Sequence, residues 1–258
     1  METTTTEIRA DINEARNWRG EEVRCDTCPH RHLLAESRCR LGSACVEDRY
    51  ARRIDRFFEW NPGLAKAALT HPYFEVRAVA AKYADPGELP PLLHDPDETV
   101  RWSAAMRLPQ SCLLYLVRDS HREVRIRVAA RLDAEDLVLM MKDGDYYVRQ
   151  IVARRLPGHL LRLMSSDPDA QVRRVVASRI DHVWLGPLTK DIDADVRLKA
   201  VERLLPYQLA AFDCDPDWRV RHEAARRMSI QLVPAMLRDC DPLVREMART
   251  RLEAEARQ

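Results

Sequence analysis

The chain has 258 residues, 46% of them apolar and 32% charged, which is enough for one or two soluble, mostly helical domains. Its seven glycines disfavour a glycine-rich phosphate loop or a turn-rich all-β fold, and neither G-x-G-x-x-G nor G-x4-G-K-[ST] occurs. Forty-two basic residues nearly cancel forty-one acidic ones, leaving a net charge of +1; bulk charge therefore calls for neither nucleic acid nor an anionic membrane, and any basic surface must be local.

The opening Met-Glu-Thr-Thr-Thr-Thr-Glu-Ile-Arg lacks the apolar stretch of a secretory signal, and no apolar run approaches the length that spans a bilayer. A cytoplasmic protein is expected. In a reducing compartment the seven cysteines then serve as thiolate ligands or small core residues rather than as a disulfide framework. Ile8, Ile12 and Ala15 lie at helical spacing and predict a short amphipathic helix whose many charges form a solvated face.

Four of the seven cysteines crowd into Cys25-Asp-Thr-Cys28, Cys39 and Cys45, and the segment reads as a metal-cluster site. A Cys-x2-Cys pair places two thiolates on one centre, and the gaps of ten and five residues let the chain wrap round to deliver two more. A 4Fe-4S cluster tolerates uneven spacing; zinc prefers two tight knuckles, which Cys39-x5-Cys45 stretches; unligated thiols are the third reading. His30 and His32 are possible zinc ligands, though ordinary surface histidines are the simpler account. Arg24, Arg31, Arg38 and Arg40 would offset the negative charge of a thiolate cluster, or are scattered surface residues.

After Cys45 the chain becomes periodic. Val76, Val100, Val124, Val148, Val172, Val196, Val220 and Val244 stand 24 residues apart, each followed by arginine. Asp95, Asp119, Asp143, Asp167, Asp191, Asp215 and Asp239 stand five before their valines, with His71 in the first repeat. Eight after come Leu108, Leu132, Leu156, Ile180, Leu204, Met228 and Leu252, with Ala84 in the first.

The unit reads Asp-Pro-Asp-x-x-Val-Arg-x-x-Ala-Ala-x-Arg-Leu. Aspartate then proline, as in Asp95-Pro96, predicts an N-cap and a first-turn proline, so the segment is an α-helix with valine, the alanine four on and leucine eight on forming its apolar stripe. A second apolar stretch pairs residues three apart (Leu89 and Leu92, Leu113 and Leu116, Leu185 and Leu188), predicting one or two turns of α- or 3₁₀-helix. The strand of an ordinary leucine-rich repeat would carry an asparagine or cysteine ladder, whereas all three asparagines precede the first clear repeat and Cys112, Cys214 and Cys240 occupy different repeat positions. An all-α solenoid is expected.

Two arginine columns follow, one next to the valine and one seven residues after it, from Arg107 to Arg251. A line of guanidiniums could bind phosphates. Because the aspartates are periodic too, a ladder of Arg–Asp pairs is the preferred reading, and paired charges cancel the field that a ligand would meet.

Head and repeats together resemble the leucine-rich repeat variant family with its N-terminal 4Fe-4S domain, over nearly the whole chain. The resemblance implies a right-handed superhelix of alternating α- and 3₁₀-helices without strands, with Cys25, Cys28, Cys39 and Cys45 as cluster ligands; it brings no assigned reaction. The expected organisation is a cluster domain over 1–46 that caps the solenoid, a degenerate first repeat over 47–70 in which Arg53 stands 24 before Arg77, and eight repeats over 71–258. No H-E-x-x-H or nucleophile motif accompanies the scattered histidines. The expectation is a non-enzymatic scaffold binding another protein along its surface, with no membrane and no small-molecule substrate. An electron-transfer protein and a redox-sensitive DNA-binding protein are the alternatives, and zinc is the alternative metal.

Overall fold

The structure, a computed structural model, describes residues 14–257. The helix expected around Ile8 and Ile12 falls largely outside them. Between Glu14 and Arg24 the chain is not helical: an antiparallel bridge joins Arg16 to Glu22 across a tight turn. The Asn17 side chain accepts the N–H groups of Arg19 and Glu21, and Gly20 takes a φ of 83°, so side-chain capping and glycine outweigh the helical spacing.

The chain divides into two compact units, one ending at Leu132 and the other beginning at Asp133. The first holds α1 (Arg31–Ala35), α2 (Ala51–Trp60), a 3₁₀ turn running into α3 (Ala65–Ala68), α4 (Phe74–Ala80), 3₁₀ segments Pro86–Glu88 and Pro90–His94, α5 (Glu98–Ala105), α6 (Gln110–Leu113) continuing as 3₁₀ to Leu116, and α7 (Arg122–Arg131). In the second unit the 3₁₀ segments Asp136–Met140, Gly158–Met164, His182–Trp184, Gly186–Lys190, Pro206–Phe212 and Ile230–Arg238 alternate with α8 (Tyr146–Arg155), α9 (Ala170–Arg179), α10 (Ala194–Val201), α11 (Trp218–Arg227) and α12 (Pro242–Glu255). Among the described residues there is no strand, only two isolated bridges, and no helix is long and apolar enough to cross a membrane.

The core follows the 24-residue register. Val100, Ala104 and Leu108 of one repeat are fully buried, as are Val148, Val152 and Leu156, and Val172, Val176 and Ile180. The 3₁₀ segments supply the other wall through Leu113 and Leu116, Leu137 and Met140, Leu161 and Met164. Each such side chain contributes about 1.5–3 kcal/mol on removal from water. Buried Ala105, Ala153 and Ala177 let successive helices approach closely.

The capping differs from the Asp-Pro expectation. The N-cap is the second aspartate: Asp97 accepts the Thr99 N–H at 2.8 Å, and Asp145, Asp169, Asp193, Asp217 and Asp241 cap their helices likewise. The prolines that follow the first aspartates therefore lie ahead of the helix; only in α12 does a proline, Pro242, occupy the first turn. The first aspartate serves the ladder. In the first unit Arg77 donates from Nε and Nη2 to Asp95 at 2.7 and 2.8 Å, and Arg101 does the same to Asp119. In the second unit Arg149, Arg173, Arg197 and Arg221 grip Asp167, Asp191, Asp215 and Asp239. Each of these aspartates also accepts an N–H two residues on, as Asp191 does from Asp193, and each Nη1 donates to a carbonyl in the turn before its own helix, as Arg173 does to Asp167.

The second arginine column is equally occupied. Arg107 and Arg131 in the first unit, and Arg179, Arg203, Arg227 and Arg251 in the second, donate to carbonyls at the C-terminal end of the preceding repeat's helix. Those carbonyls have no partner inside their own helix, and the cation suits the negative end of the helix dipole.

Arg173 and Asp191 have side chains only 12% and 8% exposed. Asp191→Ala leaves a nearly buried guanidinium unpaired and should cost about 3 kcal/mol in urea unfolding, whereas the double replacement R173M/D191L should recover most of that loss. The pair also sets an acid limit. Burial pushes the Asp95, Asp119, Asp191 and Asp239 carboxyls up, but the arginine hydrogen bonds, the N–H two residues on and the neighbouring guanidinium charges together hold each below its usual range. The stability these pairs add is complete above the unfolded carboxylate pKa of about 4 and is lost as pH falls through the lower folded values, so unfolding followed by circular dichroism should set in below about pH 4.

Candidate metal centre

The four head cysteines are brought together by three short turns. Cys25 and Cys28 stand on one turn, closed by the Cys28 N–H on the Cys25 carbonyl at 3.4 Å, and the Cys28 carbonyl accepts the Arg31 N–H that opens α1. Leu33 anchors α1 in the core. Ser37, at a φ of 59°, ends it in a left-handed turn sealed by the Arg38 N–H on the Leu33 carbonyl, which sends the chain back towards Cys39. Gly42, at a φ of 70°, makes the next reversal inside the Arg40–Ala44 bridge and delivers Cys45.

Two contacts hold these turns on α2. The buried Asn61 donates from Nδ2 to the carbonyls of Arg38 and Phe57, both at 2.8 Å, tying the residue before Cys39 to the end of α2. Asp48, fully buried, takes the Arg53 guanidinium at 2.9 Å and the Tyr50 N–H at 3.0 Å, and the Cys45 N–H donates to the Arg53 carbonyl. The head also covers the first repeat. Trp18 stacks on Tyr73 at 5.4 Å and meets His71 edge-on at 4.9 Å, at the position where later repeats carry the ladder aspartate.

All four cysteines are free, Cys45 buried and Cys25, Cys28 and Cys39 partly exposed. Cys45 donates its S–H to Cys39, which lowers Cys39 to about 7 and pushes Cys45 up, with burial adding to the rise. Burial raises the Cys28 thiol; the His30 N–H counters it, and the charges of Glu47, Cys39 and Cys25 raise it further. The backbone N–H groups of His30, Arg40 and Glu47 each act to lower the pKa of Cys28, Cys39 and Cys45, respectively. Amide dipoles near sulfur favour thiolates and tune the potential of an iron–sulfur cluster. Among the described residues no group of three or more His, Cys, Asp or Glu is disposed to hold a single metal ion. By chemistry the residues present fit a cluster: four free thiols stand on the turns of one small head.

The other residues singled out in the head lie mostly at its surface. His30 is half-buried against Phe57, with ring centroids 5.5 Å apart, and burial lowers its pKa; His32 is exposed on α1. Arg24, Arg31, Arg38 and Arg40 are all exposed, and Arg24 and Arg38 pair with Asp26 and Glu36. Carboxylates outnumber arginines beside Cys28: a cavity of about 300 Å³ there is lined by Glu21, Glu22 and Glu47 together with Arg24 and Asn17. Glu47, Asp48 and Asn61 carry no sequence motif. Asp48 and Asn61 gain their roles from burial beside the turns, which only the folded chain defines.

A cysteine head on alternating α- and 3₁₀-helices defines an iron–sulfur helical-repeat protein, and comparison with known proteins gives it a family. The family model described as LRV protein FeS4 cluster matches residues 15–67, and that of the leucine rich repeat variant matches 146–169. A solved structure described as a leucine-rich repeat variant with a novel repetitive protein structural motif is 41% identical over 89% of this chain and 98% of its own, with a TM-score of 0.85. The chain belongs to the leucine-rich repeat variant family, and its cofactor is a 4Fe-4S cluster. An uncharacterized 27.7 kDa protein in the nifB 3′ region of Rhodobacter capsulatus is 48% identical over 96 residues. That match spans 37% of this chain and 39% of the curated relative.

Asn61→Ala should free the turn before Cys39, costing about 1–3 kcal/mol for the unpaired carbonyls. The cluster should then bleach faster in air than in the unaltered protein, which its visible absorbance would show directly.

Proposed function

We propose that this iron–sulfur repeat protein is a non-enzymatic scaffold that binds a partner protein along its helices, with Cys25, Cys28, Cys39 and Cys45 holding the cluster. When bound, the cluster supplies a one-electron centre that also ties the three turns of the head together.

The observation that carries the reading is how the repeat divides its labour. Positions that recur every 24 residues point inward, and both arginine columns are spent on aspartates and carbonyls within the chain. The residue just before each framework valine is instead partly or fully exposed and changes from repeat to repeat: Glu75, Thr99 and Glu123 in the first unit, then Tyr147, Gln171, Asp195, Arg219 and Leu243 in the second. A regular frame with an irregular outer face suits recognition of one particular protein surface. It disfavours the phosphate-column reading, because one column is neutralised by aspartates and the donors of the other are engaged by backbone carbonyls.

One observation favours electron transfer as the second reading. Three of the four cysteines are partly exposed, so a cluster held by them would lie near the surface, where a redox partner could approach.

Iron and sulfide analysis of anaerobically purified protein tests the ligand set. Cys45→Ser and Cys39→Ser should each remove most of the bound iron and the visible charge-transfer absorbance, and unchanged iron content would overturn the assignment. For the scaffold, protein partners captured by the cluster-loaded chain should be measured again after oxidised, reduced and cluster-free preparation. Affinity that depends on redox state, together with a reversible couple, would favour electron transfer; affinity that survives both changes places recognition in the repeats alone.

A further inference from the structure

Tyr147 and Arg154 on α8 and Gln171, Arg174 and Ser178 on α9 face solvent, Lys199 on α10 is partly exposed, and Gln150 is buried. Between these helices lies a cavity of about 280 Å³ lined by Gln150, Arg154, Gln171, Arg174, Ser178 and Lys199, with no carboxylate in its wall. Lys199 is engaged, its ammonium lying 2.8 and 2.6 Å from the two carboxylate oxygens of Glu202. Arg154 and Arg174 are exposed, and among the described residues neither has an acid or a carbonyl for a partner. Their sequence neighbour Arg173, by contrast, is gripped by Asp191. Two uncompensated guanidiniums thus converge on one cleft of a chain whose arginine columns are otherwise satisfied internally.

The surroundings narrow the ligand. A guanidinium fork matches a carboxylate or a phosphate. Further along, Asp195, Glu202 and Glu223 are paired with Arg219, Lys199 and Arg226, so these charges cancel and offer a long polyanion no positive track to follow. A short acidic stretch needs only the two arginines. Tyr147, seven residues before Arg154 on the same face of α8 and 37% exposed, offers a ring against which the apolar part of such a stretch can pack. We propose that this cavity binds an acidic segment of a partner protein, its carboxylates paired with Arg154 and Arg174. The assignment rests on the partner-binding reading above and names the chemistry of that partner.

The test uses the full chain and fluorescence anisotropy of short labelled peptides, one rich in Asp and Glu, one rich in Lys, with single-stranded DNA as a third probe. The acidic peptide should bind best, lose affinity with added salt, and bind roughly tenfold or more weakly to R154E/R174E, which keeps the wild-type thermal unfolding. R154Q/R174Q should fall between the two, and it stands in if the charge reversal disturbs folding. Equal peptide affinity for wild type and both variants overturns the site, as does tighter binding of DNA through the same two arginines. A preference for the Lys-rich peptide overturns the site and leaves the scaffold reading standing. Failure to bind any peptide overturns both.

Discussion

The bidentate Arg–Asp clamp, formed once per 24-residue repeat within each unit, is the interaction on which the repeat structure depends. It connects the first turn of one helix to the chain ahead of the next, and it does so with charge-assisted bonds whose geometry admits little slack. The same aspartate accepts a backbone N–H two residues on, which shapes the turn into the next helix, whose own N-cap is the second aspartate. One residue therefore sets the turn and the spacing between repeats together. Burial of a charged pair adds little net stability over an apolar pair of equal size, so the clamp serves chiefly to specify register. The apolar stripe of valine, alanine and leucine then supplies the driving force.

This arrangement determines what the surface can do. Guanidiniums that look like a phosphate-binding column in the sequence are occupied by aspartates on one side of the helix and by helix-end carbonyls on the other. The positions just before the framework valines take no part in these two columns and differ from repeat to repeat. The cleft between α8 and α10 is a place where that variation leaves charge uncompensated.

The head solves a different problem. Its turns have little core of their own: Cys25 and Cys28 share one reversal, and Cys39 and Cys45 follow two more that need Ser37 and Gly42 in left-handed conformations. Asn61 and the Asp48–Arg53 pair bind those reversals to α2, while Trp18 lies over the first repeat. A cluster would join the same turns through its four bonds. Assembly of the cluster and ordering of the head are in this way linked, as metal binding and folding generally are when the site is made of loops.

Much was legible in the chain alone. Periodicity fixes the helices, because a buried stripe needs an apolar residue at each fourth position; the spacing of four cysteines marks a metal head, and the family resemblance favours a cluster over zinc there. Pairing of the two charge columns followed from their common period. Tertiary structure decided what local pattern leaves open. Asp-Pro looks like a helix start, yet the first aspartate is drawn away by an arginine 18 residues earlier in the chain, and the cap passes to the second. Asn17 and Gly20 turn the stretch after Glu14 away from the helix its spacing suggests. Asp48 and Asn61 matter only because folding buries them beside the cysteine turns. Sequence specified whatever depends on period and residue type; long-range contacts, whose partners are set by burial and geometry rather than by neighbours in the chain, specified the rest.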